Sequence, residues 1–146
     1  MSAETDLIKL YSSRILALAA DIPHLDRLET PQATVKKRSP LCGSTVTVDI
    51  KTDGEKITEF GQDVKACALG QTSASILGAN VIGRTEAEIQ RGRDQLYAML
   101  KGSKEVPDPP FHDLEVLLPA EKYNNRHASI LLAFDATLEA LKSLHS

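Results

Sequence analysis

Residues 64–75 read Val64-Lys65-Ala66-Cys67-Ala68-Leu69-Gly70-Gln71-Thr72-Ser73-Ala74-Ser75, and the rest of the chain is organised around this stretch. It follows a strand-like run and opens into small residues that suit a tightly packed helix from Cys67 to about Asn80. Gly70, Ala74 and Gly78 recur every four residues, which predicts that another element approaches closely along that side. The first turn of a helix has unpaired backbone N–H groups and a positive dipole end, so Cys67 is predicted where a thiolate is favoured.

Three strand patterns come before this helix. Alternation is clearest over Ser44–Thr52, where Val46 and Val48 alternate with threonines and with Asp49. One face of this strand is therefore predicted to be buried and the other, with Asp49, to be wet. Asp53-Gly54 is a strong hairpin signal that joins it to the next strand. The predicted result is a small antiparallel meander over residues 33–38, 44–52 and 56–64.

Helical patterns flank the meander. Thr85-Glu86-Ala87-Glu88 matches a capping box and starts a helix that is predicted to run to about Lys101. The other predicted elements are an amphipathic helix over 6–20, a proline-rich loop over 102–110, a helical turn over 114–118 and a final helix over 124–144. Together with the meander they predict an α+β fold in one domain, 1–146, with helices on one face of the sheet.

Composition excludes several classes of function. The 146 residues carry a net charge of −3, which gives no electrostatic case for binding nucleic acid or an anionic membrane. Aromatic residues make up 4% of the chain, too few for a platform that stacks bases or sugars. No apolar run is long enough to cross a bilayer, and no signal peptide is recognisable. We therefore expect a cytoplasmic protein whose two cysteines are free thiols or metal ligands.

Cys42, Cys67 and His127 form the candidate site. Cys42 lies in a turn-like segment, Cys67 at a helix start, and His127 one turn before Ile130 and Leu131 on the core-facing side of the last helix. Two thiolates and an imidazole suit zinc, ferrous iron or an iron–sulfur cluster if the three element ends converge. The alternatives are a Cys67 buried as a small hydrophobe and a His127 bonded to backbone.

The sequence shows few signs of other catalytic arrangements. The chain contains neither a Gly-x-Ser-x-Gly elbow nor a glycine-rich phosphate loop. A thiol enzyme with Cys67 as nucleophile and His127 as base stays open at this point.

Three segments in the same order resemble the NifU/IscU/SufU-type family of iron–sulfur cluster scaffolds. They are Ser39-Pro40-Leu41-Cys42-Gly43-Ser44, Ala66–Ser75 with its Ser-Ala-Ser tail, and Arg126-His127-Ala128-Ser129-Ile130-Leu131. The resemblance implies a three-stranded antiparallel sheet packed on one face by helices. It also implies an assembly platform that receives sulfur from a cysteine desulfurase, collects iron, holds a labile [2Fe–2S] cluster or a zinc or iron ion, and serves recipient iron–sulfur apoproteins.

The chain departs from the family pattern at two positions. Ser44 stands where the aspartate of Cys-Gly-Asp is usual, and the third family cysteine is missing. Aligned on the following Ser-Ile-Leu, Ala128 takes the place of that cysteine; shifted by one residue, His127 itself replaces it. Either alignment leaves Cys42, Cys67 and His127 as the ligand set, with the fourth ligand unassigned. Fewer thiolates are expected to hold ferric iron less firmly.

The first hypothesis is therefore a scaffold or carrier, a binding and assembly module more than an enzyme. The second is a zinc-dependent sulfur acceptor that works with a cysteine desulfurase and uses Cys67. The third is a relative without a cluster that is kept for protein contacts.

Overall fold

The structure, a computed structural model, describes residues 12–40 and 43–145. It confirms the α+β fold, a three-stranded antiparallel sheet with helices packed on it. In chain order the elements are α1 (Ser13–Ala20), β1 (Ala33–Arg38), β2 (Thr45–Thr52), β3 (Ile57–Lys65), α2 (Ala68–Asn80), α3 (Glu86–Ala98), a π-helical turn (Met99–Ser103), a 3-10 helix (His112–Lys122) and α4 (Asn124–Ser143). Within these residues, no helix combines the length and apolar character that crossing a bilayer requires.

The sheet has the strand order β1-β2-β3, and its inner face carries the core. Val46, Val48 and Ile50 are buried on that face, against α4. The hairpin between β2 and β3 forms at the predicted Asp53-Gly54: the Asp53 carboxylate accepts from the backbone N–H groups of Glu55 and Lys56, and Gly54 has a φ of +101°. A glycine is suited to that conformation because it carries no Cβ. The predicted meander is confirmed, with β2 and β3 each beginning one residue later than expected.

The outer face of the sheet differs from the expectation at Asp49. The alternation of residues in β2 predicts that the Asp49 side chain is exposed to solvent, but Asp49 is fully buried. The burial comes from a tertiary contact, because the segment 26–28 crosses this end of the outer face. At this point Gly61 lies opposite Asp49 in the register of β2 and β3. A Cβ at position 61 would lie only 2.5 Å from the Asp26 carbonyl oxygen, so the close crossing requires glycine. Arg27 then binds the Asp49 carboxylate through two nitrogens.

Neighbouring elements lie very close to helix α2 at both of its interior glycines, as the spacing predicts. A Cβ at Gly70 would lie 2.6 Å from the Ser129 hydroxyl oxygen of α4. At Gly78 the nearest atom is the Gln62 amide nitrogen of β3, at 2.9 Å. The helix is buried along most of its length, so packing compensates for the low intrinsic helicity of its glycines.

The remaining helices follow the prediction in kind and differ in extent. The capping box at Thr85 and Glu88 is present, but α3 ends at Ala98 and continues as the π-helical turn. The short helical turn predicted before Pro119 is instead an eleven-residue 3-10 helix that runs through this proline. The first helix begins at Ser13 with Ser12 as its N-cap, and the part predicted over residues 6–11 lies outside the described residues.

Candidate functional site

Cys67 is the N-cap of α2, one position before the helical residues begin. Its backbone is extended, with φ −67° and ψ 168°, and its carbonyl accepts the first helical hydrogen bond from Gln71 at 2.9 Å. The side chain is a free thiol, half-buried, and makes no capping bond to the helix. Cys67 therefore precedes the unpaired N–H groups of the first turn, and a helix start is a position that favours a thiolate.

Ser129 of α4 contacts Cys67 from the side. The Cys67 Sγ lies 3.6 Å from the Ser129 Oγ, which in turn donates a hydrogen bond of 3.0 Å to the Ser44 Oγ. A thiol and a hydroxyl can each donate or accept, so either group can be the donor in the contact between Cys67 and Ser129. The buried Ser129 hydroxyl thus joins three parts of the chain, namely the start of α2, the start of α4 and the residue before β2.

This meeting depends on Gly70. Any side chain at that position would enter the space of the Ser129 hydroxyl and would lie 3.2 Å from its backbone oxygen. One turn into α2, the missing Cβ lets α4 approach closely enough for Ser129 to reach both Cys67 and Ser44. Glycine is therefore a requirement of the site's geometry as well as of core packing.

His127 lies in the first turn of α4 and is 4% exposed. Its Nε2 is 2.9 Å from the backbone oxygen of Ala120, the last buried residue of the 3-10 helix. A carbonyl only accepts, so Nε2 carries the hydrogen and Nδ1 has a free lone pair. Nδ1 is buried and has no hydrogen-bond partner among the described residues. Histidines that bind metals commonly donate their other N–H to a carbonyl in this way.

Cys42 itself lies outside the described residues, but the ends of its turn are described. The Ser39 N–H donates to the Ser44 carbonyl at 2.8 Å, and the Gly43 N–H donates to the Ser39 carbonyl at 2.9 Å. These bonds close the turn at the base of β1 and β2 and bring Ser44 to Ser129. Among the residues that the structure describes, no group of three His, Cys, Asp or Glu side chains is placed to hold a metal ion. The predicted ligand set, with Cys42 in it, stays a prediction.

Ser129 is the residue that the sequence analysis did not single out. It belongs to the segment 126–131 that carries the family resemblance, but nothing in its spacing indicates contact with Cys67, which is 62 residues earlier. The only usable signal was the run of small residues on α2, which predicts a close neighbour without identifying it.

The chain is similar to proteins of iron–sulfur cluster assembly, although no family model matches it. The crystal structure of a nitrogen-fixing NifU-like protein (N-terminal) from Brucella abortus is 41% identical, with a TM-score of 0.91, and the match covers 96% of this chain and 97% of that one. A second crystal structure is that of FiSufU, a protein of the SUF system from Fervidobacterium islandicum AW-1, with a TM-score of 0.81. It is 21% identical, and the match covers 92% of this chain and 98% of that one, so this likeness shows the shared fold.

A curated relative is similar over a shorter part of the chain. The iron–sulfur cluster assembly scaffold protein IscU of Streptococcus pyogenes serotype M1 is 26% identical over 119 residues, which are 82% of this chain and 74% of that protein.

Proposed function

Because the chain belongs to the NifU/IscU/SufU family, we propose that it is a scaffold on which iron–sulfur clusters are assembled and from which they are released. The match to the NifU-like protein, across nearly the whole of both chains, supports this proposal. So does the name of the streptococcal relative, a cluster assembly scaffold. The observation that carries it is the meeting of Cys67, Ser129 and Ser44, which brings a thiol to the residue that precedes β2.

The proposed ligands are Cys42, Cys67 and His127. His127 fits this role because its Nε2–H is engaged by Ala120 while Nδ1 keeps an unshared lone pair. Cys67 fits because its sulfur is half-buried at a helix start and has a hydroxyl as its neighbour. Two thiolates and one imidazole are suitable donors for zinc, for ferrous iron or for a [2Fe–2S] cluster, which is the cargo of a scaffold.

The fourth ligand is proposed to come from outside this set. Ala128, which takes the place of the family's third cysteine in one alignment, is exposed and has no donor atom. Ser44, at the place of the family aspartate, is uncharged and bonded to Ser129. The site is therefore less anionic than the family pattern, and a labile cluster or a zinc ion completed by water or a small thiol is the expected cargo.

The proposed partners are a cysteine desulfurase as sulfur donor and iron–sulfur apoproteins as recipients. In the sulfur-transfer step, the Cys67 thiolate attacks the outer sulfur of a persulfide on the donor. A new S–S bond forms on Cys67, the donor's S–S bond breaks, and the donor cysteine leaves as a thiolate. No external oxidant or reductant is needed for this step.

Anaerobic reconstitution with ferrous iron and sulfide tests the proposal. Wild-type protein is expected to retain iron and sulfide after desalting and to show charge-transfer absorption, and Cys42→Ala and Cys67→Ala are each expected to lose both while keeping the wild-type circular dichroism. Retention of iron and sulfide by both variants at the wild-type level, or no retention by the wild type, contradicts the scaffold function.

A second candidate function is zinc-dependent sulfur acceptance without cluster assembly, and the position of the half-buried Cys67 at a helix start favours it. The measurement is the turnover of a cysteine desulfurase with and without this protein, followed by mass spectrometry of the thiols. A rise in turnover and a persulfide that both require Cys67, in a protein that retains no cluster on reconstitution, distinguish an acceptor from a scaffold.

A further inference from the structure

Among the described residues, the outer face of the sheet is covered at one end and open at the other. At the covered end, the segment 26–28 lies over Asp49 and Gly61. At the open end, two rows of side chains cross the three strands in register and face away from α4. We call this surface the open basic face, and its rows are Arg38, Thr45 and Lys65, then Lys36, Thr47 and Asp63.

Strand alternation assigns these side chains to the outer face. In β1 the exposed residues Lys36 and Arg38 alternate with half-buried Val35 and Lys37. Lys37 points the other way, since its amine lies 3.7 Å from the Glu139 carboxylate of α4. In β3, exposed Lys65 follows Val64, which packs against the core. Two lysines and an arginine therefore project from one open surface.

These three cations are uncompensated within the described part of the chain. No described carboxylate lies within ion-pairing distance of Lys36, Arg38 or Lys65, whereas Arg14, Arg27, Lys51, Arg84, Arg91 and Arg93 all have carboxylate partners. The face also carries one acid, exposed Asp63, which lies in the same row as Lys36 with Thr47 between them. In a protein of net charge −3, a local group of unpaired cations is a departure from the overall balance.

The open basic face adjoins the candidate site. Lys65 lies two residues before Cys67, and Thr45 directly follows Ser44, whose hydroxyl accepts from Ser129. Arg38 precedes the Ser39–Ser44 turn that carries Cys42. Each of the three strand ends that border this surface is therefore continuous with a segment of the candidate site.

We infer that the open basic face is a docking surface for an acidic segment of the protein that delivers sulfur to Cys67, an inference that rests on the proposed function. Exposed cations beside a site increase the rate at which an acidic partner finds it, and they fix its orientation. The threonines between the cations supply hydroxyls for bonds to carboxylates or backbone. Three cations on a face this small would release few counterions from a nucleic acid, so a protein segment is the better occupant.

The test uses the cysteine desulfurase of the same organism as the probe and measures its binding by biolayer interferometry at low and high salt. The test variant is Lys36→Glu with Arg38→Glu. The matched control is Lys56→Glu with Lys104→Glu, which makes the same change of charge at two exposed positions away from this face. The milder pair Lys36→Gln with Arg38→Gln adds no new charge, and circular dichroism verifies the fold of each variant.

The expected result is an association rate constant about tenfold lower for the test variant, with a weaker salt dependence, an intermediate value for the glutamine pair and no change for the control. If wild-type protein binds the desulfurase and the test and control variants bind equally well, the docking surface is elsewhere and the scaffold function is untouched. If wild-type protein does not bind the desulfurase, the proposed sulfur donor is wrong and this inference falls with it. The inference is also overturned if the wild-type protein binds a duplex oligonucleotide in a salt-sensitive manner and the test variant does not.

Discussion

The Ser129 hydroxyl donates a 3.0 Å hydrogen bond to the Ser44 hydroxyl, which joins the first turns of α4 to the turn that carries Cys42. The same oxygen lies 3.6 Å from the Cys67 sulfur. Ser129 is 1% exposed, so water does not compete for these contacts. One buried hydroxyl thus joins the start of α2 at Cys67 to Ser44, the residue before β2, although neither residue is near Ser129 in the sequence.

Gly70→Ala is expected to disturb this junction. Its Cβ would lie 2.6 Å from the Ser129 hydroxyl oxygen and 3.0 Å from the Ala66 Cβ, well inside van der Waals contact. Overpacking of this kind costs about 1–3 kcal/mol of unfolding free energy, which urea denaturation measures.

A double variant isolates the contact that causes the loss. Ser129→Ala removes the oxygen nearest to the new methyl group, so Gly70→Ala with Ser129→Ala is expected to be more stable than the sum of the single changes predicts. Simple additivity of the two changes would show that the strain arises elsewhere along α2.

Ala128→Cys is expected to increase the retention of a reconstituted cluster. In one alignment Ala128 takes the place of the third family cysteine, and its side chain is exposed in the first turn of α4, between His127 and Ser129. A third thiolate adds negative charge and a soft ligand. The measurement is the half-life of the iron–sulfur absorption under anaerobic dilution with a chelator.

The matched control for this gain is Ala98→Cys, which adds an exposed thiol at the end of α3 instead. Equal half-lives for Ala128→Cys and Ala98→Cys would mean that position 128 does not face the cargo, and would favour the alignment in which His127 replaces the cysteine.

Local patterns were sufficient to predict most of the fold. The alternation of Val46 and Val48, the Asp53-Gly54 turn and the capping box at Thr85 each act through neighbouring residues, and all three are present in the structure. The extent of the 3-10 helix through Pro119 was missed because that segment is held by packing of Leu114 and Leu117 in the core, which its short pattern does not reveal.

The candidate site was less predictable because it is made by contacts between distant segments. The positions of Cys67 at a helix start and of His127 in a first turn follow from local sequence. The Ser129 hydroxyl bridge and the burial of Asp49 do not, since each depends on a segment that crosses from elsewhere in the chain. Physical proximity of this kind leaves no periodicity in the sequence.

Asp49 is expected to make the fold sensitive to acid. Burial raises the pKa of its carboxyl group, but hydrogen bonds from Arg27, Thr34 and the Leu28 N–H together outweigh burial and hold the pKa below its ordinary value. A lowered pKa in the folded state adds stability at pH values above the unfolded value of about 3.9, and that stability is lost as the pH falls through the folded value.

The variant Asp49→Asn tests this contribution. Loss of the charge is expected to cost about 2–3 kcal/mol at neutral pH, less than for a fully buried pair because half of the Arg27 side chain stays exposed. The measurement is urea denaturation at several pH values, with the exposed Glu105→Gln, far along the chain from Arg27, as the control. A difference between wild type and Asp49→Asn that stays constant from neutral pH down to acid would contradict the assignment.

His127 provides the most direct test of the ligand set, because its two ring nitrogens have separate roles. Nε2–H donates to the Ala120 carbonyl, which also accepts from the Tyr123 N–H, and so holds the start of α4 on the end of the 3-10 helix. Nδ1 is buried without a hydrogen-bond partner among the described residues, and it is the nitrogen that the proposed site would use. A glutamine amide can place its nitrogen near the position of Nε2 while offering nothing at Nδ1, so His127→Gln separates the structural role from the proposed ligand role.

The free energy of unfolding of His127→Gln is therefore expected to lie within about 1 kcal/mol of the wild-type value. His127→Ala leaves a cavity, and its free energy of unfolding is expected to be about 2–3 kcal/mol lower. If Nδ1 is a ligand, both variants bind zinc at least about tenfold more weakly than the wild type, as measured by competition with a chromophoric chelator. If His127→Gln binds zinc as tightly as the wild type, then His127 is a structural residue. The site would then consist of Cys42, Cys67 and ligands supplied by a partner, since the histidine would keep only its bond to Ala120.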